Sequence, residues 1–395
     1  MTSISEPGLP RPGFLTRIGK WWGPYPLGQA ALILGCLGLV WWFGLNTAET
    51  MARAGITPGF DFLRRAASFE IGETMIPYSS ADPYARAILV GLLNTVKVAV
   101  AGCVLATLLG VTLAIMRLSG NLLLMSLVRG YVELIRNTPL LLQLFFWSAL
   151  TRALPAPRQA ISVLDTAFLT NRGIYIPGLL LDGTTPLGWS LAGLLLLLVL
   201  AAGFGLRRRQ ALGWRRGTLL AALALGGTVA LLLATGARAG LDVPALGGFN
   251  IRGGLSLTPE FAALLIGLTV KFSAAIAEIV RAGIEAVDKG QWEAARALGL
   301  HNGRIVRLIV LPQALRVITP LITSSYLDLT KDSSLAVAIG YPDLVNVVNT
   351  TSNTTGQALE ALAILVGVYL ALNLSVSALM NEYNRRVALR GSLPR

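Results

Sequence analysis

Apolar residues run in long unbroken stretches along this chain, with the charges gathered into short patches between them. A helix needs about 20 mainly apolar residues to cross roughly 30 Å of hydrocarbon. Eight stretches approach or exceed that length: 27–45, 88–116, 122–150, 187–206, 218–236, 259–283, 305–329 and 358–380. The pattern predicts an all-α, polytopic membrane protein of about eight transmembrane helices. The third stretch is the least uniform, because Arg129, Glu133 and Arg136 fall in its first half. The first follows Arg11, Arg17 and Lys20, as the core of a signal peptide would. It is longer than the usual 7–15 residues of such a core and lacks a clean small-x-small cleavage site, so it reads as a retained helix.

Composition sharpens this picture. Hydrophobic residues make up 54% of the 395 positions and charged residues 13%, about half the charge of an ordinary soluble domain, and the mean hydropathy is +0.65. Disorder is thereby excluded. The two cysteines, Cys36 and Cys103, both lie inside apolar stretches and build no disulfide framework. The net charge of +13 comes from residues that flank the spans, which speaks for membrane sidedness rather than nucleic acid. With eight spans, the loops on the side of the N-terminus hold 19 lysines and arginines and the opposite loops 10. The excess places both termini in the cytoplasm.

One compositional seam interrupts the chain. Between Arg152 and Gly254 lie a proline- and glycine-rich loop, two leucine/alanine helices with almost no polar residue, and the basic turn Arg207-Arg208-Arg209. We read 151–254 as an insertion into a five-span core formed by 88–150 and 255–386. An N-terminal unit, 1–87, carries the extra helix, and 387–395 forms a tail.

The longest patterned inner loop reads Asp288-Lys-Gly-Gln291-Trp-Glu293-Ala294-Ala295-Arg-Ala-Leu-Gly299. Asp288, three residues before Gln291, suits an N-cap with a capping-box partner, and Gly299 suits the left-handed position that ends a helix. The alanines between them favour a short helix with a small, flat face. On local physics alone this could be a solvated interfacial turn. The spacing decides otherwise: Glu293-Ala294-Ala295, three residues, Gly299, nine residues, Ile309, one residue, Leu311-Pro312 resembles the cytoplasmic signature of ABC-importer permeases. Arg136-Asn-Thr-Pro-Leu-Leu-Leu-Gln-Leu-Phe-Phe146 and Gly91-Leu-Leu-Asn94-Thr95 resemble segments of the polar-amino-acid subfamily, and the overall layout resembles the longer permeases of general L-amino acid importers.

The resemblance implies a type I permease core of five helices, here with an extra N-terminal helix and a two-helix insertion. It implies an amino-acid substrate moved by alternating access, with Glu293, Ala294, Ala295 and Gly299 docking on a dimer of ATP-hydrolysing subunits. It also implies a second permease subunit in a heterodimer and a periplasmic amino-acid-binding protein. The chain itself has no G-x-x-x-x-G-K-[ST] phosphate loop, no G-x-S-x-G elbow, and a single histidine, His301, which cannot form a His-x-x-x-His metal pair. We therefore expect no enzymatic activity, no metal and no cofactor in this chain, with ATP consumed by a partner, and no nucleic acid bound.

Charges within the spans need a partner or a wet cavity, since each costs about 2.5–3.5 kcal/mol at the bilayer centre. Lys271 stands 12 residues into the sixth span, about 18 Å deep. Glu278 follows on the same face, with Arg281 in reach of it at i+3. Arg316 is at mid-depth of the seventh span, and Asp328 lies near its outer end. A zwitterionic substrate needs a cation for its carboxylate and an anion for its ammonium, which makes Lys271, Glu278, Arg316 and Asp328 candidates for the pathway. Interhelical ion pairing is the bland alternative, and the spacing favours it for Glu278–Arg281 and for Arg129–Glu133–Arg136. Lys97 is expected to snorkel to the outer interface. Pro312 and Pro320 are expected to bend the seventh span. Ion-driven secondary transport would also explain buried charges, but it predicts paired broken helices in inverted repeats, and none is visible.

Overall fold

The computed structural model describes residues 25–53, 55, 59–182 and 238–389, with a few positions between 226 and 234. Among these, five helices are long and apolar enough to cross a membrane: Leu27–Thr50, Tyr84–Arg117, Pro259–Glu285, Asn302–Ile339 and Ala358–Arg385. They correspond to the first, second, sixth, seventh and eighth apolar stretches. The fourth stretch and the basic turn at 207–209 lie outside the described residues, as does all but a few positions of the fifth. In chain order the helices are α1 (Pro26–Arg53), α2 (Tyr84–Arg117), α3 (Leu122–Asn137), α4 (Leu140–Arg152), α5 (Pro259–Glu285), α6 (Lys289–Ala297), α7 (Asn302–Ile305), α8 (Leu311–Asp332), α9 (Leu344–Thr355) and α10 (Ala358–Leu389).

The third stretch is not one helix but two, and Thr138-Pro139 is the reason. Pro139 has no N–H to continue the helical ladder, and its ring drives Thr138 into an extended conformation (ψ 130°). Prolines act differently in the seventh stretch. There a π-helical turn, Val306–Val310, runs directly into α8, widening the backbone just before Pro312. Pro320 remains inside α8.

Helix α5 is the most buried of the five spans and packs against α2, α3, α4 and α8. Lipid tails give no hydrophobic drive between helices, so close backbone approach does the holding. At Gly110 of α2, an added Cβ would come within 2.8 Å of the Ile276 side chain and 2.9 Å of the Ser273 carbonyl. No residue of the apolar windows of α1 and α10 is buried.

At the end opposite the α5–α6 turn, the Gly91-Leu-Leu-Asn94-Thr95 segment acts as a latch. Asn94 Nδ2 donates to the carbonyls of Glu73 (2.8 Å) and Pro342 (2.9 Å), and Thr95 Oγ1 accepts from the N–H of Leu344 (3.0 Å). Gly91 lets the Asp343 carbonyl and Leu344 approach to 3.1 Å of where a Cβ would stand. Lys97 reaches Glu73 in the loop before α2, with which it pairs, and lies 4.2 Å from the centre of the Phe261 ring.

Asp343, inside the latch and fully buried, caps α9 by accepting from the N–H of Asn346 (2.9 Å). Its Oδ2 has no hydrogen-bond partner among the described residues. Burial pushes its carboxyl up to about 7, against the lowering pull of the Asn346 N–H. The folded protein therefore holds this proton above the ordinary range near 3.9. The stability Asp343 contributes is full below about pH 4 and is lost as pH rises through about 7. Thermal melts of the purified protein in detergent are expected to show that decline, and Asp343→Asn, which keeps the cap without the charge, is expected to flatten it.

The described flanks of the insertion hold short strands where the sequence suggested only loop. β1 (Ile161–Val163), β2 (Ala167–Thr170), β3 (Gly173–Ile176) and β8 (Leu255–Leu257) form an antiparallel sheet in that order. β4 (Gly178–Asp182) pairs with β5 (Arg238–Asp242), and β6 (Ala245–Gly247) with β7 (Asn250–Arg252). The β4–β5 ladder pairs two stretches inside the inserted segment, with Asp182 opposite Arg238. Strands of three to five residues are too short for their alternation to stand out against the surrounding prolines and glycines.

Candidate functional site

Helix α6 is fixed at both ends by its own sequence. Asp288 Oδ1 accepts from the N–H of Gly290 (2.6 Å), satisfying an orphan donor of the first turn. The expected capping box does not form, for the Gln291 side chain turns toward Gln313 Nε2 (3.5 Å) of α8. At the other end Gly299 adopts φ +71°. Its N–H donates to the Arg296 carbonyl (2.9 Å) and that of Leu300 to Ala295 (3.2 Å), the paired bonds of a Schellman turn. The lone histidine serves the fold here, since His301 Nδ1 accepts from the Gly303 N–H (3.2 Å) and caps α7.

This capped rod is wedged by one side only. Ala295 is 1% exposed and joins the core with Val287 and Ile305, while half-buried Trp292 packs beside it. Glu293, Ala294, Ala297 and Leu298 face outward, and Leu298 is 78% exposed. The four residues singled out by sequence thus divide: Glu293 and Ala294 are on the open face, Ala295 faces inward, and Gly299 shapes the turn. Sequence reasoning missed Leu298. Its spacing of four from Ala294 placed it on the same face and was the available signal.

Just behind α6, α2 and α5 are clamped together by charge. Arg117 Nη1 contacts Glu278 Oε2 at 2.6 Å, and Arg281 bonds both Glu278 and Glu285. Glu278–Arg281 is thus the expected ion pair, enlarged by Arg117 from the neighbouring helix. Arg129 and Glu133 pair at 2.8 Å, but Arg136 is exposed and forms no ion pair with them.

Deeper in the bundle, Lys271 meets the break between α3 and α4. Its ammonium donates to the carbonyls of Ile135 (3.3 Å), Arg136 (3.2 Å) and Thr138 (3.1 Å). These are carbonyls of the last turn and C-cap at the negative end of α3. Gln143 Nε2 shares two of them, at 3.1 Å each. Arg316 and Asp328 are elsewhere, exposed on α8 with Val317, Leu321 and Ser324. Asp328 reaches Lys331 at 3.9 Å. Among the described residues no group of three or more His, Cys, Asp or Glu is arranged to hold a metal.

A family model described as "Binding-protein-dependent transport system inner membrane component" matches residues 249–389, from the last strands through α10. The general L-amino acid transport system permease protein AapQ of Rhizobium johnstonii is 44% identical over 365 residues, covering 91% of each chain. The chain belongs to the amino-acid ABC transporter permeases. A second long member, the glutamate/glutamine/aspartate/asparagine transport system permease protein BztB of Rhodobacter capsulatus, is 39% identical to this permease. That match spans 91% of this chain and 92% of BztB. Among solved structures, an amino acid ABC transporter crystallised with histidines aligns with a TM-score of 0.46 and 23% identity, over 77% of this permease and 95% of that chain. Membership sets aside the ion-coupled reading, and α6 with Gly299 lies within the matched residues.

Proposed function

We propose that this permease imports L-amino acids across a bacterial inner membrane, with both termini in the cytoplasm, and that α6 is its point of contact with a separate ATPase dimer. One observation carries the proposal: a capped helix, packed against α7 and the Val306–Val310 turn, presents Glu293, Ala294, Ala297 and Leu298 with no partner among the described residues. ATP binding would draw two such helices together. Because α6 joins α5 directly and α8 through α7, displacement of α6 rocks both spans and moves the opening from one side of the membrane to the other.

On this reading a second, unlike permease faces α8, and the route runs along its exposed face past Arg316 and Asp328. Lys271 and Glu278 border the route; their carbonyl and arginine partners suit them to hold the α3–α4 break and the α2–α5 clamp in register. The outer segments 59–83, 153–182 and 333–357 receive the amino acid from a periplasmic binding protein. The test is uptake of labelled neutral, acidic and basic amino acids into vesicles holding the purified complex. Uptake that needs enclosed ATP and persists with an ionophore supports the proposal. Uptake that survives without ATP and collapses with the ionophore overturns it.

A further inference from the structure

Two apolar chambers of about 480 and 430 Å3 lie along the seam between α2, α8 and α10. They share Thr107, Tyr326 and Met380, where the two adjoin. The upper chamber runs from Thr95 past Cys103, and the lower continues by Val111 to Leu315. From Thr95 to Val111 is about 24 Å along α2 at 1.5 Å per residue, most of the roughly 30 Å hydrocarbon thickness.

The chemistry of the walls specifies the ligand class. Every hydroxyl lining the upper chamber is already bonded within the protein. Thr95 Oγ1 donates to the Gly91 carbonyl (3.0 Å) and accepts from Leu344. Thr107 Oγ1 bonds the Cys103 carbonyl (2.6 Å) and the Tyr326 hydroxyl (2.7 Å), and Thr330 Oγ1 donates to the Tyr326 carbonyl (2.8 Å). A polar ligand would lose its water here and gain little in return. A helix is also a poor occupant: at about 10–12 Å across with its side chains it has a section of about 80–110 Å2, whereas volumes of about 480 and 430 Å3 spread along about 24 Å leave roughly 40 Å2. A single flexible string of methylenes suits that section, and the bilayer supplies it at this depth. We propose that the crevice holds an acyl chain of a membrane lipid, threaded past the Thr107–Tyr326 pair, and that this chain packs α10 onto α2 and α8.

The permease complex, reconstituted in phosphatidylethanolamine/phosphatidylglycerol vesicles containing a phospholipid with a mid-chain diazirine, tests this by irradiation and peptide mapping. Label on Val100, Cys103, Val104 and Val376 is expected to exceed that on the outward Leu105, Leu109 and Leu374 about fivefold, the enrichment that roughly 1 kcal/mol of preference gives. Val104→Trp, which fills the upper chamber from α2, is expected to remove the excess, and Val376→Trp to do so from α10 should the first variant fail to assemble. Equal labelling of inward and outward positions, or an excess that survives the filling substitutions, overturns the proposal. Cross-linking of Cys103 to α1 or to another chain would overturn it as well, by showing that protein occupies the crevice.

Discussion

Replacing Gly299 by valine is expected to cut amino-acid uptake roughly tenfold, the factor that about 1.4 kcal/mol gives, while leaving the amount of permease in the membrane unchanged. Gly299 sits at φ +71°, a region that costs an L-residue about 1–2 kcal/mol and is a genuine outlier for a β-branched one. A Cβ there would meet nothing within 4 Å, so the penalty falls on the backbone turn and not on the bundle. The Schellman bonds from Gly299 and Leu300 loosen, the last turn of α6 frays, and Leu298 loses its fixed place on the open face. Gly299→Asn, whose side chain tolerates the left-handed region, is expected to keep most of the uptake. Quantifying uptake and membrane content for both variants checks the claim.

Glu278→Ala should lower the stability of the folded permease by about 2 kcal/mol. Breaking a fully buried pair costs about 3–5 kcal/mol by stranding the remaining charge; here the Arg117 and Glu278 side chains are 17% and 26% exposed, so water recovers part of the loss. The variant leaves Arg117 and Arg281 facing each other with only Glu285 to hold Arg281. The double variant Arg117→Met/Glu278→Met is expected to regain most of that stability, because the uncompensated cation is gone. Thermal melts give the coupling between the two sites. Uptake by the double variant then tells whether Glu278 holds helices or meets substrate: near-normal uptake is expected of a clamp.

Much of this protein is legible in its sequence because lipid imposes simple rules. Every spanning helix within the described residues shows as an apolar stretch, and α6 announces both its ends through Asp288 and Gly299. The break at Thr138-Pro139 was also written plainly, but the surrounding leucines kept hydropathy high across it and hid it in one stretch. What sequence spacing cannot reveal is contact between distant segments. Lys271 looks unpaired until α3 is seen to end beside it, and Glu278 gains Arg117 only through the crossing of α2 and α5. The Asn94 latch escaped for the same reason, since its acceptors, Glu73 and Pro342, lie 21 and 248 residues away. The spans and α6 follow from local rules, whereas the roles of charges inside the bundle depend on which carbonyls and carboxylates the packing brings to them.

Cysteine cross-linking from the open face of α6 tests the central claim most directly. With Ala294→Cys or Leu298→Cys in the assembled transporter, a short thiol cross-linker is expected to capture an ATP-hydrolysing subunit, and Ala295→Cys, whose side chain is buried, is expected not to. Failure of both outward positions to capture a nucleotidase, in intact cells and in the purified complex alike, would contradict the account.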